Sequence, residues 1–307
     1  MTFQSQTNRK FLFSLLFTGI LFTTSCNNDD ATSGSNPSGD NTPVTTNLAI
    51  EPSNTFAHLK LTAADYTYWN SNSINAAATT EKIKTLCQSE IYPALKDEYD
   101  FIVFVMNNST LPTGMPYGEY HSVKNDTQGI GLQLFNDSSA FGSAGKLQGV
   151  YFLYKNNIDL GPFLHEMFHR WGNWIVPQNY GGHWDSVQGI LSGAGNNMAD
   201  IELYLCGAIP ANQITDPESL AIYNDSRYTN KVRVPNSESS QKKFKSLVVL
   251  MSQTDLTAEE ITSIKNKIAN ITRTPAEGTT NSAYQNIYNK SRGLLTLTIG
   301  GLNLDKK

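Results

Sequence analysis

Pro162-Phe163-Leu164-His165-Glu166-Met167-Phe168-His169-Arg170-Trp171-Gly172 carries an HExxH motif. On a helix of 3.6 residues per turn, two histidines four positions apart lie about 40° apart around the axis, so both can present imidazoles to one metal ion. Zinc is the metal that this motif predicts, and Glu166 then stands beside the metal's water, where a carboxylate acts as general base. The plain alternative is an amphipathic helix that carries two histidines and a glutamate by accident. Leu164, Met167, Phe168, Trp171 and Ile175 recur at helical spacing as a core-facing stripe, with both histidines at its margin. A helix buried on one side with paired imidazoles at its edge suits the floor of a cleft, which favours the metal reading.

The chain has 307 residues and a formal net charge of -4, enough length for a sizeable core and no basic excess that would point to nucleic acid. Arg9-Lys10, the apolar run Phe11 to Phe22 and then Thr23-Thr24-Ser25-Cys26 form a charged region, a short hydrophobic region and a small-residue cleavage site. This predicts a signal peptide over residues 1–25. Small residues ending in a cysteine resemble the lipobox of bacterial lipoproteins, with Thr23 where a leucine is usual. That resemblance implies cleavage before Cys26, its lipidation, and attachment to the bacterial outer membrane; Asn27-Asn28-Asp29-Asp30 hints at exposure on the cell surface. Residues 26–47, rich in Ser, Thr, Asn, Gly and Pro, bury too little apolar surface to offset ordering entropy and read as a flexible tether. The remaining cysteines, Cys87 and Cys206, have no spacing that argues for a framework and read as two buried thiols.

The folded part is expected from residue 48 to 307, with a sheet-bearing N-terminal lobe to about residue 175 and a C-terminal lobe after it. A helix opens near Thr80 with Ile83, Leu86, Cys87 and Ile91 in phase. Phe101 to Met106 is a continuous apolar run and predicts a buried strand. Gly129 to Phe135 and Gly149 to Tyr154 are the next strand candidates, with Ser138 to Gly145 as a turn that lacks phosphate-loop spacing. Met198 to Gly207 reads as a short helix closed by its glycine. Phe244 to Met251 reads as a strand, Thr257 to Glu260 as a capping box opening a helix through Ile261, Ile264, Ile268 and Ile271, and Leu294 to Ile299 as a last strand. Asn54 to Tyr68 and Asp216 to Asn236 are too mixed to assign.

A catalytic zinc site needs a third protein ligand. Of the five histidines, His58, His121 and His183 remain, and His183 follows the flexible pair Gly181-Gly182, which lets the backbone turn back under the helix. Glu202 is the second candidate and Asp200 the third. His183 keeps the full charge of the metal, whereas Glu202 reduces it by one. Trp184 is expected to pack against Trp171 or Trp174 and hold the loop.

The order strand, glycine turn, strand and HExxH helix over Phe101 to Trp174 resembles the zincin superfamily of metallopeptidases. The resemblance implies an α+β fold, a small mixed sheet packed on the active-site helix with a more helical C-terminal part. It also implies a zinc ion held by His165, His169 and His183, with Glu166 as general base on a peptide or protein substrate that adds beside an edge strand. Gly149 to Tyr154 is the expected edge, Tyr180 or Tyr204 the oxyanion candidates, and Met198 a possible turn under the metal. Gly172 fits the pattern HExxHxxG, but Ile175 stands where a third histidine of that branch falls and Gly189 near where a glutamate ligand of another branch is expected. The competing class is a tethered binding lipoprotein on an inactive zincin scaffold, serving adhesion or glycan capture; the intact Glu166 speaks against it.

Overall fold

A computed structural model describes residues 47–172, 174–176, 183–184, 187–193, 197–274 and 286–302. The signal peptide, Cys26, the tether to residue 46, Tyr180 and Gly181-Gly182 lie outside the described residues. In chain order the strands are β1 (Leu48–Ile50), β2 (Ala57–Lys60), β3 (Phe101–Met106), β4 (Gly118–Ser122), β5 (Lys124–Asn125), β6 (Phe135–Asn136), β7 (Gly149–Tyr154), β8 (Lys243–Ser252) and β9 (Thr296–Ile299). The helices are α1 (Ala63–Trp69), α2 (Ala77–Leu86), α3 (Pro162–Phe168), α4 (Asp200–Leu205), α5 (Pro217–Tyr223), α6 (Ala258–Thr272) and α7 (Ile287–Lys290).

The architecture is a mixed seven-stranded sheet in the order β1-β2-β8-β3-β7-β4, with β9 also paired to β8. β2, β8, β3 and β7 run parallel, and the antiparallel β1 and β4 end the path. All six residues of β3 are buried because both of its faces are covered. Phe101, Val103 and Val105 join Tyr151, Leu153, Val248 and Leu250 under Phe163 and Met167 of α3, Ile201 of α4 and Ile264 of α6. Ile102, Phe104 and Met106 join Val150, Phe152 and Val249 on the other face, against Trp69, Ile83, Cys87 and Ile91. A strand sandwiched in this way reads as an unbroken apolar run, which is why β3, β7 and β8 were recognisable. Since β8 lies between β2 and β3, the sheet draws on residues from both sides of position 175.

Three expectations are corrected. Gly149 to Tyr154 is an interior strand paired to β3 and β4, so the edge is β4, whose polar residues carry no apolar alternation. Gly129 to Phe135 contributes to a strand only at Phe135, because Gly129 and Gly131 both adopt φ +81°. A side chain at either would meet backbone, at 2.4 Å from the Val232 oxygen and 2.3 Å from the Trp174 oxygen, so these glycines serve close approach rather than extension. The helix of the HExxH motif ends at Phe168, although Trp171 and Ile175 stay buried as the stripe requires.

Two ends of the site-bearing helix are chemically defined. Gly161, at φ 129°, and Pro162 start it. Beyond its last turn Arg170, fully buried, gives hydrogen bonds to Gln148 Oε1 at 3.2 Å, Asn125 Oδ1 at 2.9 Å and Asp126 Oδ1 at 2.9 Å, tying the helix end to β5 and to the start of β7. The capping box at Thr257 and Glu260 opens α6 as expected. The unassigned segments hold β2 and α1, and α5, which is capped by Asp216 with Pro217 behind it. Cys87 and Cys206 are free and buried.

Candidate metal centre

α3 carries His165 in its last turn and places His169 at its C-cap. Their rings stand 4.8 Å apart at 90°, and the ring of His183, from the loop beyond, lies 4.8 Å from that of His165 and 5.5 Å from that of His169. One nitrogen of each falls within 4.8 Å of the others, a spacing that can hold a metal ion. No other group of His, Cys, Asp or Glu converges this way among the described residues. His58 pairs with Ser252 and His121 with Asn75, both apart from this cluster.

His165 Nδ1 lies 2.9 Å from the Ile190 carbonyl oxygen. A carbonyl can only accept, so Nδ1 carries the ring proton and Nε2 presents its lone pair. That Nε2 is 2.8 Å from Nε2 of His183. Two lone pairs do not face each other at this distance without a proton or a cation between them. Burial also lowers the pKa of His165, opposed by the Ile190 contact and helped by His183, which keeps the imidazole neutral and able to ligate.

Glu202 occupies a different place from the one a ligand needs. Its buried carboxylate accepts from the indole Nε1 of Trp184 at 2.9 Å and from the backbone N–H groups of Ile190 at 2.9 Å, Leu191 at 2.8 Å and Ala199 at 2.9 Å. Burial raises its pKa above the ordinary carboxylate value, and these four donors offset only part of that rise. Four N–H donors leave no room for a carboxylic proton, so it is an anion that ties the loop together. It thereby secures the residue next to His183 and the residue whose carbonyl orients His165. Gly189 makes this possible: a Cβ there would lie 2.5 Å from the Glu202 carboxylate. Trp184 is fixed by that hydrogen bond and by its own N–H on the Leu191 oxygen at 3.2 Å, and it shares a buried core cluster with Trp171. Asp200 is also structural, paired with Arg292 at 2.7 Å and accepting from the N–H groups of Thr215 and Asp216.

Glu166 sits against the sheet edge. Its carboxylate is 3.9 Å from His169 Nε2 and is 5% exposed, and a Cβ at Gly118 of β4 would lie 2.6 Å from its Oε1. Only glycine at that position of the edge strand leaves space for this side chain. Burial pushes its pKa up to about 8, with the charge of Glu119 adding to the effect. Glu119 itself accepts from the Ser73 hydroxyl and from Ile74 N–H at 3.2 Å. Gly118, Glu119 and Tyr120, whose ring is 6.5 Å from that of His169, were not legible as site residues because the strand that carries them was not. Tyr204 is excluded as an oxyanion donor: its hydroxyl gives to the Lys231 oxygen and accepts from Arg233 N–H at 3.3 Å. Met198 is buried in the core, its N–H on the Lys290 oxygen.

No family model, curated protein or solved structure matches the chain.

Zinc titrated into metal-free protein should bind with one ion per chain. His183→Ala should abolish tight binding, while Glu202→Gln, which replaces an acceptor with an NH₂ facing donors, should weaken it by about 10–100-fold, the range for residues that orient ligands. Competition with a chelating dye measures both; a Glu202→Gln affinity equal to wild type would remove Glu202 from this role.

Glu166 also sets a pH dependence. Its folded pKa of about 8 lies above its ordinary 4.5, so the metal-free protein keeps this contribution to stability below pH 4.5 and loses it as pH rises through about 8. Thermal melts of chelated protein should fall across that window. Glu166→Gln, which stays neutral, should show a flatter profile, and added zinc should offset the loss in wild type.

Proposed function

We propose that this chain is a zinc-dependent metallopeptidase of zincin-like form, presented at the bacterial outer membrane by a lipid on Cys26. The observation that carries the reading is the convergence of His165, His169 and His183 beside the buried carboxylate of Glu166, under the open edge of β4. Three imidazoles and one unligated carboxylate are the donor set of a catalytic zinc site, which keeps a position for water or substrate. When bound, zinc supplies Lewis acidity, which makes water a competent nucleophile at neutral pH.

The chain's own residues do the rest. Glu166 takes a proton from the attacking water on its carboxylate and returns it to the leaving amine. An extended peptide pairs its backbone along the free edge of β4, which brings its carbonyl to Glu166 across Gly118. Ile190 and Glu202 hold the ligand imidazoles in register, so the site does not have to reorganise during the reaction.

Glu166→Gln should abolish hydrolysis of a peptide library while zinc stays bound, and His165→Ala or His169→Ala should lose both. Turnover retained in Glu166→Gln would refute the general base. Wild-type protein fully loaded with zinc that cleaves nothing would move the assignment to a tethered binding protein. Cys26→Ala should leave the protein unprocessed or released from the membrane fraction, since attachment requires the lipid.

A further inference from the structure

Just past the C-terminal end of α3, beyond His169, a cavity of about 360 Å³ opens between Trp171, Gln148, Phe244 and the segment Arg233 to Gln241. Its charge is unbalanced. Arg233 is 7% exposed, and its guanidinium spends Nε on the Leu205 oxygen at 2.9 Å and Nη1 on Pro235 O and Ser240 Oγ. Nη2 gives to no acceptor among the described residues, and Arg233 forms no ion pair with them. Arg170 is close enough to repel it, and Lys242, half-buried beside it, donates only to the carbonyls of Gly207 and Ser237.

The available counter-charges are few. Asp126 lines the cavity, but it is already paired to Arg170 at 2.9 Å and to Lys124 at 3.1 Å. Cys206 also lines it, and burial pushes its thiol up to about 11, so it is neutral at physiological pH. The indole N–H of Trp171, a buried ring on the cavity wall, is a second donor with no acceptor among the described residues. Arg233 Nη2 and the indole N–H open onto this cavity rather than being sealed from solvent, and a guanidinium is the group best suited to hold a carboxylate or tetrahedral oxyanion there.

We propose that this cavity is a binding site for a small oxyanion, held by Arg233 Nη2 over the rings of Trp171 and Phe244. The site stands apart from the metal reading and does not depend on it. An anion there neutralises the pair of guanidiniums, one of which anchors the end of the helix that bears His165 and His169.

The test uses the full chain, treated with chelator and dialysed so that no anion is captured by metal. Sodium sulfate and sodium acetate are titrated at constant ionic strength against chloride, with calorimetry and thermal melts as readouts. Saturable binding of one anion per chain with a rise in Tm is expected, and the order of the two salts tells a tetrahedral from a planar ligand. Arg233→Lys, which keeps charge and loses the fork, should weaken binding at least 10-fold. Ser239→Phe, which puts a bulky ring on the exposed rim of the cavity, should weaken binding strongly and decides the matter if Arg233→Lys does not fold. A wild-type response that never saturates, or one that is equal in Ser239→Phe, overturns the site.

Discussion

The carboxylate of Glu202 is the contact on which the candidate metal centre depends. An ionised group with 1% exposure is tolerable only when its oxygens are fully engaged, and here four N–H donors converge on them. Trp184, Ile190 and Leu191 lie outside the named helices and strands and Ala199 is the N-cap of α4, so the anion gives these N–H groups the acceptor that a ladder would otherwise provide. The same residue, Ile190, has its N–H on Glu202 and its carbonyl on His165, and Trp184 links Glu202 to the position after His183. The residue after His183 and the stretch Ile190-Leu191 are thus held from one buried point.

The second constraint is electrostatic. Glu166 and Glu119 are two carboxyl groups near one edge of the sheet, and Glu166 faces imidazoles of which His165 is held neutral by burial. In that setting the carboxylate of Glu166 is disfavoured, as the rise in its pKa records. A dication held by the imidazoles reverses this, since it favours the charged form of any carboxylate nearby. Metal binding at the imidazoles and ionisation of Glu166 would thus be coupled: the environment that makes Glu166 a poor anion alone would make it a responsive one beside a cation.

Helix α3 is only seven residues long, too short to persist by itself, and it is held by what surrounds it. Phe163, Leu164, Met167 and Phe168 bury against the sheet, while Arg170 pins the following turn to Gln148, Asn125 and Asp126. Replacing such an arginine by an apolar residue would strand three polar partners, two of them buried, so its worth lies in register more than in net stability.

From the sequence alone, the spacing of His165 and His169, the apolar runs of β3, β7 and β8, and the capping box of α6 were legible, because each is a local pattern with one physical meaning. His183 was singled out from few histidines and a glycine pair, and the structure brings its ring to the other two. What sequence could not reveal was the edge strand β4, since an edge is defined by the neighbour it lacks and its polar residues show no period. Nor could it show that Gly118 and Gly189 each leave room for a carboxylate, Glu166 in one case and Glu202 in the other. Glu202 read as a ligand candidate because acidity is visible in sequence. Its four donors lie at positions 184, 190, 191 and 199, and only the fold around that buried charge decides that it ties the chain together beside the three histidines instead of joining their cluster.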